Sequence, residues 1–230
     1  MGVDESSGIV ATPPARIGPE PLRVGGLTPL TTVDYPGELA AVVFCQGCPW
    51  RCRYCHNAHL LPSVAAGLIR WAEVCRFLEA RRGLLDAVVF SGGEPTLQSS
   101  LKAAMAQVRA LGFKVGLHTS GAYPARLKAL LPLLDWVGLD IKALPDDYPA
   151  ITGVPKSGER AWESLAILLA AGVPLEVRTT ILPGHEGDAA PAMLKARVAA
   201  LGVKTHQIQQ CRMERVLDPT LSASLRPRML

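Results

Sequence analysis

The chain has 230 residues, 49% of them hydrophobic and 19% charged, with a net charge of +4; that suffices for one sizeable core and excludes disorder of the whole. Lys and Arg are scattered apart from Arg212, Arg215, Arg226 and Arg228, which gives nucleic-acid binding little support. No apolar run reaches the ~18 residues of a membrane helix and the N-terminus has no secretory signal, so a cytoplasmic protein without a membrane partner is expected.

Residues 1–25 are rich in Pro, Gly and Ser without a period and read as a flexible leader, ahead of a single domain over 26–230. The first strand is the apolar run Leu39–Phe44, followed by a cysteine-rich loop and a helix near 70–82. In that helix Trp71, Val74, Cys75 and Leu78 share one face, with Gly83 beyond its end, so Cys75 is expected in the core. Next come a strand at Ala87–Phe90, the loop SGGEP, and a helix near 98–111 stopped by Gly112. A strand at Lys114–Leu117 leads through HTSG to a short helix before Pro132. A strand at Trp136–Ile141 precedes a helix at 160–171, and one at Leu175–Ile181 precedes a helix from about Pro191 to Gly202. The last strand is Thr205–Gln209.

Six β/α units in succession predict an α/β fold with a parallel sheet and right-handed crossovers. A doubly wound open sheet would carry a glycine-rich phosphate loop after its first strand, where this chain has cysteines. A partial (β/α)6 barrel instead gathers all the loops after the strands on one face. Every unusual segment falls there: the cysteines, SGGEP, HTSG, Asp140 with Lys142, RTTILPG and QQCR. The partial barrel is therefore the expected architecture.

Cys45, Cys48, Cys52 and Cys55 give the spacing C-x2-C-x3-C-x2-C. In a reducing compartment such a cluster of thiols points to metal rather than disulfides. Structural zinc modules separate their two pairs by a dozen or more residues, so three intervening residues suit zinc poorly, whereas closely spaced thiolates in one loop suit an iron–sulfur cluster. His56 and His59 flank the motif; His56 is given a supporting role and His59 none. Trp50 reads as packing beside the loop.

The subset Cys48, Cys52 and Cys55, with aromatic Tyr54 before the last cysteine, resembles the defining motif of radical S-adenosylmethionine enzymes. The resemblance implies a [4Fe–4S] cluster with one iron free of protein ligands, which takes the amino and carboxylate groups of S-adenosylmethionine and splits its sulfonium bond after reduction. On this reading Cys45 is a small packing residue, since a fourth thiolate would occupy the open iron. Gly92, Gly93 and Glu94 of SGGEP resemble the segment that binds the methionyl amine, the glycines allowing close approach. Thr119 and Ser120 of HTSG resemble a Thr-Asn-Gly segment, with Ser in place of Asn. Asp140 and Lys142 resemble the DIK of activating enzymes, although Lys142 alone also fits an ion pair at a strand end. Arg178 lies inside an apolar strand and needs an anion, for which the cofactor carboxylate is a candidate. Gln209 or its neighbour Gln210 could reach adenine.

Several segments together, among them LTPLTTVDYPGELAAVVFCQGCPWRCRYCHN, FSGGEPTLQ and LEVRTTILPG, are similar to the anaerobic ribonucleoside-triphosphate reductase activating proteins over roughly residues 24–212. That likeness implies a glycyl-radical enzyme as partner, a low-potential electron donor such as flavodoxin or ferredoxin, and a barrel left open on one side. Two other readings stand beside it: a small-metabolite radical enzyme like 7-carboxy-7-deazaguanine synthase, and a non-catalytic iron–sulfur electron carrier.

Overall fold

Strands whose two faces are both covered must be apolar on both faces, and the runs AAVVF, AVVF and WVGL meet that demand. A computed structural model describes residues 21–182, 188–214 and 216–224. In chain order its elements are β1 (Val24–Thr31), β2 (Ala40–Cys45), α1 (Trp71–Glu79), β3 (Ala87–Gly92), α2 (Leu101–Ala110), β4 (Lys114–Thr119), α3 (Pro124–Leu130), β5 (Trp136–Asp140), α4 (Tyr148–Thr152), α5 (Ser157–Ala171), β6 (Leu175–Ile181), α6 (Ala189–Ala200), β7 (His206–Gln210) and α7 (Pro219–Ser224). They form a single seven-stranded sheet in the order β1 to β7. Strands β2 to β7 are parallel neighbours. This is the predicted α/β partial barrel. Its six parallel strands are the six read from sequence, with ends shifted by one or two residues.

One strand was not foreseen. β1 pairs antiparallel with β2 from Val24↔Cys45 to Thr31↔Ala40, and Leu22 and Val24 are buried. The fold thus begins before residue 26; residues 1–20 of the expected leader lie outside those described. Cys75 is also less enclosed than expected: Val74 and Leu78 carry the buried face of α1, and the Cys75 thiol stands at the surface beside Gln107.

Two apolar layers sandwich the sheet. Outside, α1, α2, α3 and α5 cover Ala41, Val43, Val88, Phe90, Val115, Leu117, Val137 and Leu139. Inside, Tyr35, Ala40, Val42, Ala87, Val89 and Trp136 form a smaller cluster. The turn joining β1 to β2 places Tyr35 against Trp136, ring centroids 5.2 Å apart, and plugs the base of the barrel. Gly116 makes room for it, since a Cβ there would stand 3.0 Å from the Tyr35 ring. The inner face is therefore apolar at the N-terminal ends of the strands and polar at their C-terminal ends. Among the described residues no helix is long and apolar enough to cross a membrane.

Candidate active site

At the C-terminal ends of the strands lies a cavity of about 450 Å³, within the usual range for small-molecule sites. Its wall brings together Cys48, Cys52, Tyr54 and Cys55 from the loop after β2, Gly92 and Gly93 at the end of β3, Thr119 and Ser120 at the end of β4, Asp140 and Lys142 at the end of β5, Arg178 on β6 and Gln209 on β7. All the residues expected at the site from sequence line this cavity except Glu94.

The cysteine loop is shaped by its neighbours. Gly47 N–H donates to Leu60 O (2.7 Å) and Cys48 N–H to Leu61 O (3.1 Å), while Arg51 and Arg53 N–H donate to Thr152 O (2.9 Å) and Ile151 O (3.0 Å) at the end of α4. Arg51 Nη1 bonds the carbonyls of Cys48 (2.9 Å) and Trp50 (3.1 Å). Trp50 is fully buried and meets Tyr148 edge-on at 6.0 Å, which fixes the loop's base. Cys48, Cys52 and Cys55 are free thiols facing the cavity. Burial pushes the Cys48 thiol up to about 12, with Glu94 and the neighbouring thiols adding to the shift against the hydrogen bond at Trp50; burial also raises Cys52, against the pull of Lys142. Such thiols lose their protons to solvent when a metal ion binds the sulfur in their place. Among the described residues no three His, Cys, Asp or Glu side chains converge on a point as the ligands of one ion do. The three thiols line one cavity.

Cys45 is in a different position. It ends β2, is fully buried in the outer core and does not face the cavity. Burial, with Glu94 nearby, strongly favours its protonated form.

The two glycines of SGGEP line the cavity and are also required by close packing against the cysteine loop. A Cβ on Gly92, whose φ is +116°, would stand 2.4 Å from Cys45 N, and one on Gly93 would stand 2.3 Å from Gly47 O. Gly93 N–H donates to Cys45 O (2.9 Å) and Glu94 N–H to Gly47 O (2.8 Å). The close approach is made to the cysteine loop's backbone, so the second motif is a wedge that seats the first.

Glu94 itself is fully buried, and its carboxylate points away from the cavity. Oε1 accepts from Thr96 N–H (3.0 Å), Thr96 Oγ1 (2.5 Å) and Thr119 Oγ1 (2.8 Å), and Oε2 from Ser120 N–H (2.8 Å) and Oγ (2.6 Å). Five donors satisfy a buried carboxylate without a cation. This side chain ties the segment after β3 to the end of β4. The hydroxyls of Thr119 and Ser120 are committed to the same tie.

Across the cavity, Lys142 Nζ pairs with Asp140 Oδ2 at 3.0 Å and lies 5.7 Å from the centre of the Tyr54 ring. Burial works against the Lys142 charge, yet Asp140, Tyr54 and Cys52 together hold its pKa well above the usual range. The Tyr54 hydroxyl is buried and finds no hydrogen-bond partner among the described residues, an acceptor or donor left over at the cavity wall. Such an orphan fits a site that binds a polar ligand. Arg178 Nε pairs with Glu176 Oε1 at 2.6 Å, and its guanidinium lies 5.4 Å from the Trp136 ring centre. The anion that the sequence demanded for Arg178 is therefore supplied two residues away on the same strand. Gln209 Nε2 donates to Thr180 Oγ1 (2.9 Å).

Some cavity residues were not anticipated. His118 lies beneath the cavity between Asp34 O (2.9 Å from Nε2), Ser91 Oγ (3.3 Å from Nδ1) and Arg178. Burial first, then the Arg178 charge, lowers its pKa and keeps the imidazole neutral. Strand alternation was the available signal: Glu176, Arg178 and Thr180 are two apart on β6 and share the inner face, as Gly116, His118 and Ser120 do along β4. His56, given a supporting role, hydrogen-bonds Arg212 O through its ring, and Cys211 Sγ lies 4.0 Å from the same nitrogen.

Residues 42–196 match the Radical SAM superfamily. The chain belongs to that superfamily. Its members use a [4Fe–4S] cluster and S-adenosylmethionine, and the three thiols facing a cavity with an orphaned polar wall fit both groups. Among curated proteins the chain is 32% identical to a Methanocaldococcus jannaschii protein assigned as a glycyl-radical enzyme activating enzyme, over 70% of this chain and 68% of that one. It is 31% identical to the pyruvate formate-lyase-activating enzyme of Clostridium pasteurianum, over 70% and 69%. Among solved structures, Streptococcus suis SuiB bound to S-adenosylmethionine superposes with a TM-score of 0.57 at 14% identity, over 73% of this chain. The chain spans only about two fifths of SuiB, 39% of its length. That likeness concerns the radical SAM fold.

Proposed function

We propose that this radical SAM enzyme activates a glycyl-radical enzyme, and that its partner is an anaerobic ribonucleoside-triphosphate reductase. The observation that carries the reading is the convergence of Cys48, Cys52 and Cys55 on one cavity with the loops after β3 and β4, in a chain homologous along 70% of its length to glycyl-radical activating enzymes. Cys48, Cys52 and Cys55 would hold the cluster. When bound, the reduced cluster and S-adenosylmethionine supply methionine and a 5′-deoxyadenosyl radical, which takes a hydrogen atom from a glycine Cα of the partner and leaves as 5′-deoxyadenosine.

The chain's own residues bind and orient. The backbone around Gly92 and Gly93 borders the cavity next to the cysteine loop and would receive the methionyl end. Lys142 and Arg178 present positive charge from two sides, suited to the cofactor carboxylate, and Asp140 and Glu176 hold those cations in place. The Tyr54 ring and hydroxyl, with Gln209, border the part of the wall suited to adenine. The sheet does not close, since β1 and β7 are its two edges. A partner loop would enter on that side. A flavodoxin or ferredoxin in the cytoplasm would deliver the electron.

Anaerobic reconstitution, reduction and quantification of methionine and 5′-deoxyadenosine test the enzymatic part. Equal amounts of both products are expected. A fully loaded, reduced sample that forms neither would leave an electron carrier as the better account.

A further inference from the structure

The segment following β7 returns to the cysteine loop. Cys211 N–H donates to Ile181 O (2.7 Å) and its side chain is buried, so the departure from β7 is anchored. The segment then meets the loop at two backbone positions: Leu217 N–H donates to Cys55 O (3.0 Å) and Asp218 N–H to Arg53 O (2.8 Å). Arg53 is consequently bonded on both sides, by Ile151 O through its N–H and by Asp218 N–H through its carbonyl. Its side chain adds a third link, Nε to Asp218 Oδ2 at 2.8 Å. The other oxygen of Asp218 accepts from Thr220 N–H (2.9 Å) and Oγ1 (2.6 Å), which caps the start of α7, while Leu221 of that helix is buried. One carboxylate thus joins a helix start to the residue between Cys52 and Tyr54.

The geometry points to Asp218 as a positioning residue for the third cluster ligand. Carbonyls 53 and 55 flank Tyr54, and fixing both sets where the Cys55 thiol stands relative to Cys48 and Cys52. Within the loop itself, Cys55 N–H bonds Cys52 O (2.9 Å); a bond of that kind closes a turn without locating it in the molecule. Location comes from α4 on one side and residues 217–218 on the other. Groups that orient metal ligands in this way typically alter metal affinity ~10–100-fold when removed. The inference rests on the reading of Cys48, Cys52 and Cys55 as ligands, and it adds a residue 165 positions beyond Arg53 that acts through the loop carrying them.

The test uses the full chain, reconstituted anaerobically as wild type, Asp218→Ala and Leu217→Pro, the last removing the N–H that Cys55 O accepts. Loss of the cluster's visible absorbance to a strong iron chelator is followed without any partner enzyme. Both variants should release iron about 10-fold faster than wild type, while the melting temperature of apo Asp218→Ala falls by only a few degrees, through the loss of one helix cap and a half-exposed ion pair. Release at the wild-type rate in both variants would overturn the positioning role and leave the ligand assignment standing. A fall in apo stability well beyond the loss of one helix cap would also overturn it, by showing a general structural role. Failure of the wild type itself to assemble a cluster would overturn both readings together.

Discussion

Ser120 donates its backbone N–H, at 2.8 Å, and its hydroxyl, at 2.6 Å, to a single carboxylate oxygen of Glu94. The pair joins the loop after β3 to the loop after β4 beneath the cavity wall, and Thr119 and Thr96 fill the second oxygen. Replacing Glu94 by Gln turns one acceptor into a donor facing donors. Each buried group left unsatisfied costs about 1–3 kcal/mol, so Glu94→Gln should lower unfolding stability in urea by roughly 3 kcal/mol. Calorimetric titration should also show weaker binding of S-adenosylmethionine, although this side chain does not line the cavity. Wild-type stability in the variant would contradict the network.

The two glycines give a sharper contrast. Gly93→Ala would place a methyl 2.3 Å from Gly47 O and force the cysteine loop away, so iron content after reconstitution should fall well below wild type. Gly26→Ala is the matched control. Its Cβ meets only the Phe44 side chain, at 3.5 Å, and the variant should load its cluster normally.

Among the cysteines, Cys48→Ala, Cys52→Ala and Cys55→Ala should each abolish the oxygen-labile cluster in iron analysis and EPR. Cys45→Ala should retain it, because that thiol is sealed in the outer core and held in its protonated form. A cluster lost only on replacing Cys45 would invert the ligand assignment.

The pH dependence of folding carries the mark of His118. Burial and Arg178 lower its pKa below the usual 6.5, so as pH falls through 6.5 the unfolded chain takes up a proton before the folded one does. The His118 contribution is fully present above 6.5 and is lost as pH falls toward its folded pKa. His118→Gln should therefore give a shallower decline in apo-protein stability from pH 7 to pH 5, measured by urea unfolding. Some slope should persist, since burial and Lys195 lower His206 as well. An unchanged slope would show that His118 is not held neutral by the fold.

What the sequence disclosed, and what it concealed, follows from the range of the interactions. Strands β2 to β5 announce themselves because both faces are largely buried, as in AAVVF and AVVF, whereas β7, HQIQQ, is mostly exposed and follows only from the β/α succession. β1 does not, because VGGLTPLT is an edge strand with two glycines and a proline, and only Val24 within it is fully buried. The cysteine spacing is local, so the thiol-rich loop could be read directly, and the family resemblance picked out Cys48, Cys52 and Cys55, the three that face the cavity. The motif of Glu94 was legible, but its partners Thr119 and Ser120 were not, because they are 25 and 26 residues away. Arg178 was recognised as needing an anion, but its partner Glu176 becomes apparent only when the two-residue alternation of β6 is followed inward. The return of residues 217–218 to the cysteine loop leaves no periodic trace at all.

The central claim is the transfer of a radical to a partner's glycine, and EPR after anaerobic mixing tests it most directly. Reduced, cluster-loaded protein, S-adenosylmethionine and the anaerobic ribonucleotide reductase of the same cell should yield a glycyl-radical doublet, with one 5′-deoxyadenosine formed per radical and no signal from Cys52→Ala. Formation of 5′-deoxyadenosine without a doublet from any glycyl-radical enzyme of that cell, accompanied by turnover of a small metabolite, would contradict the account.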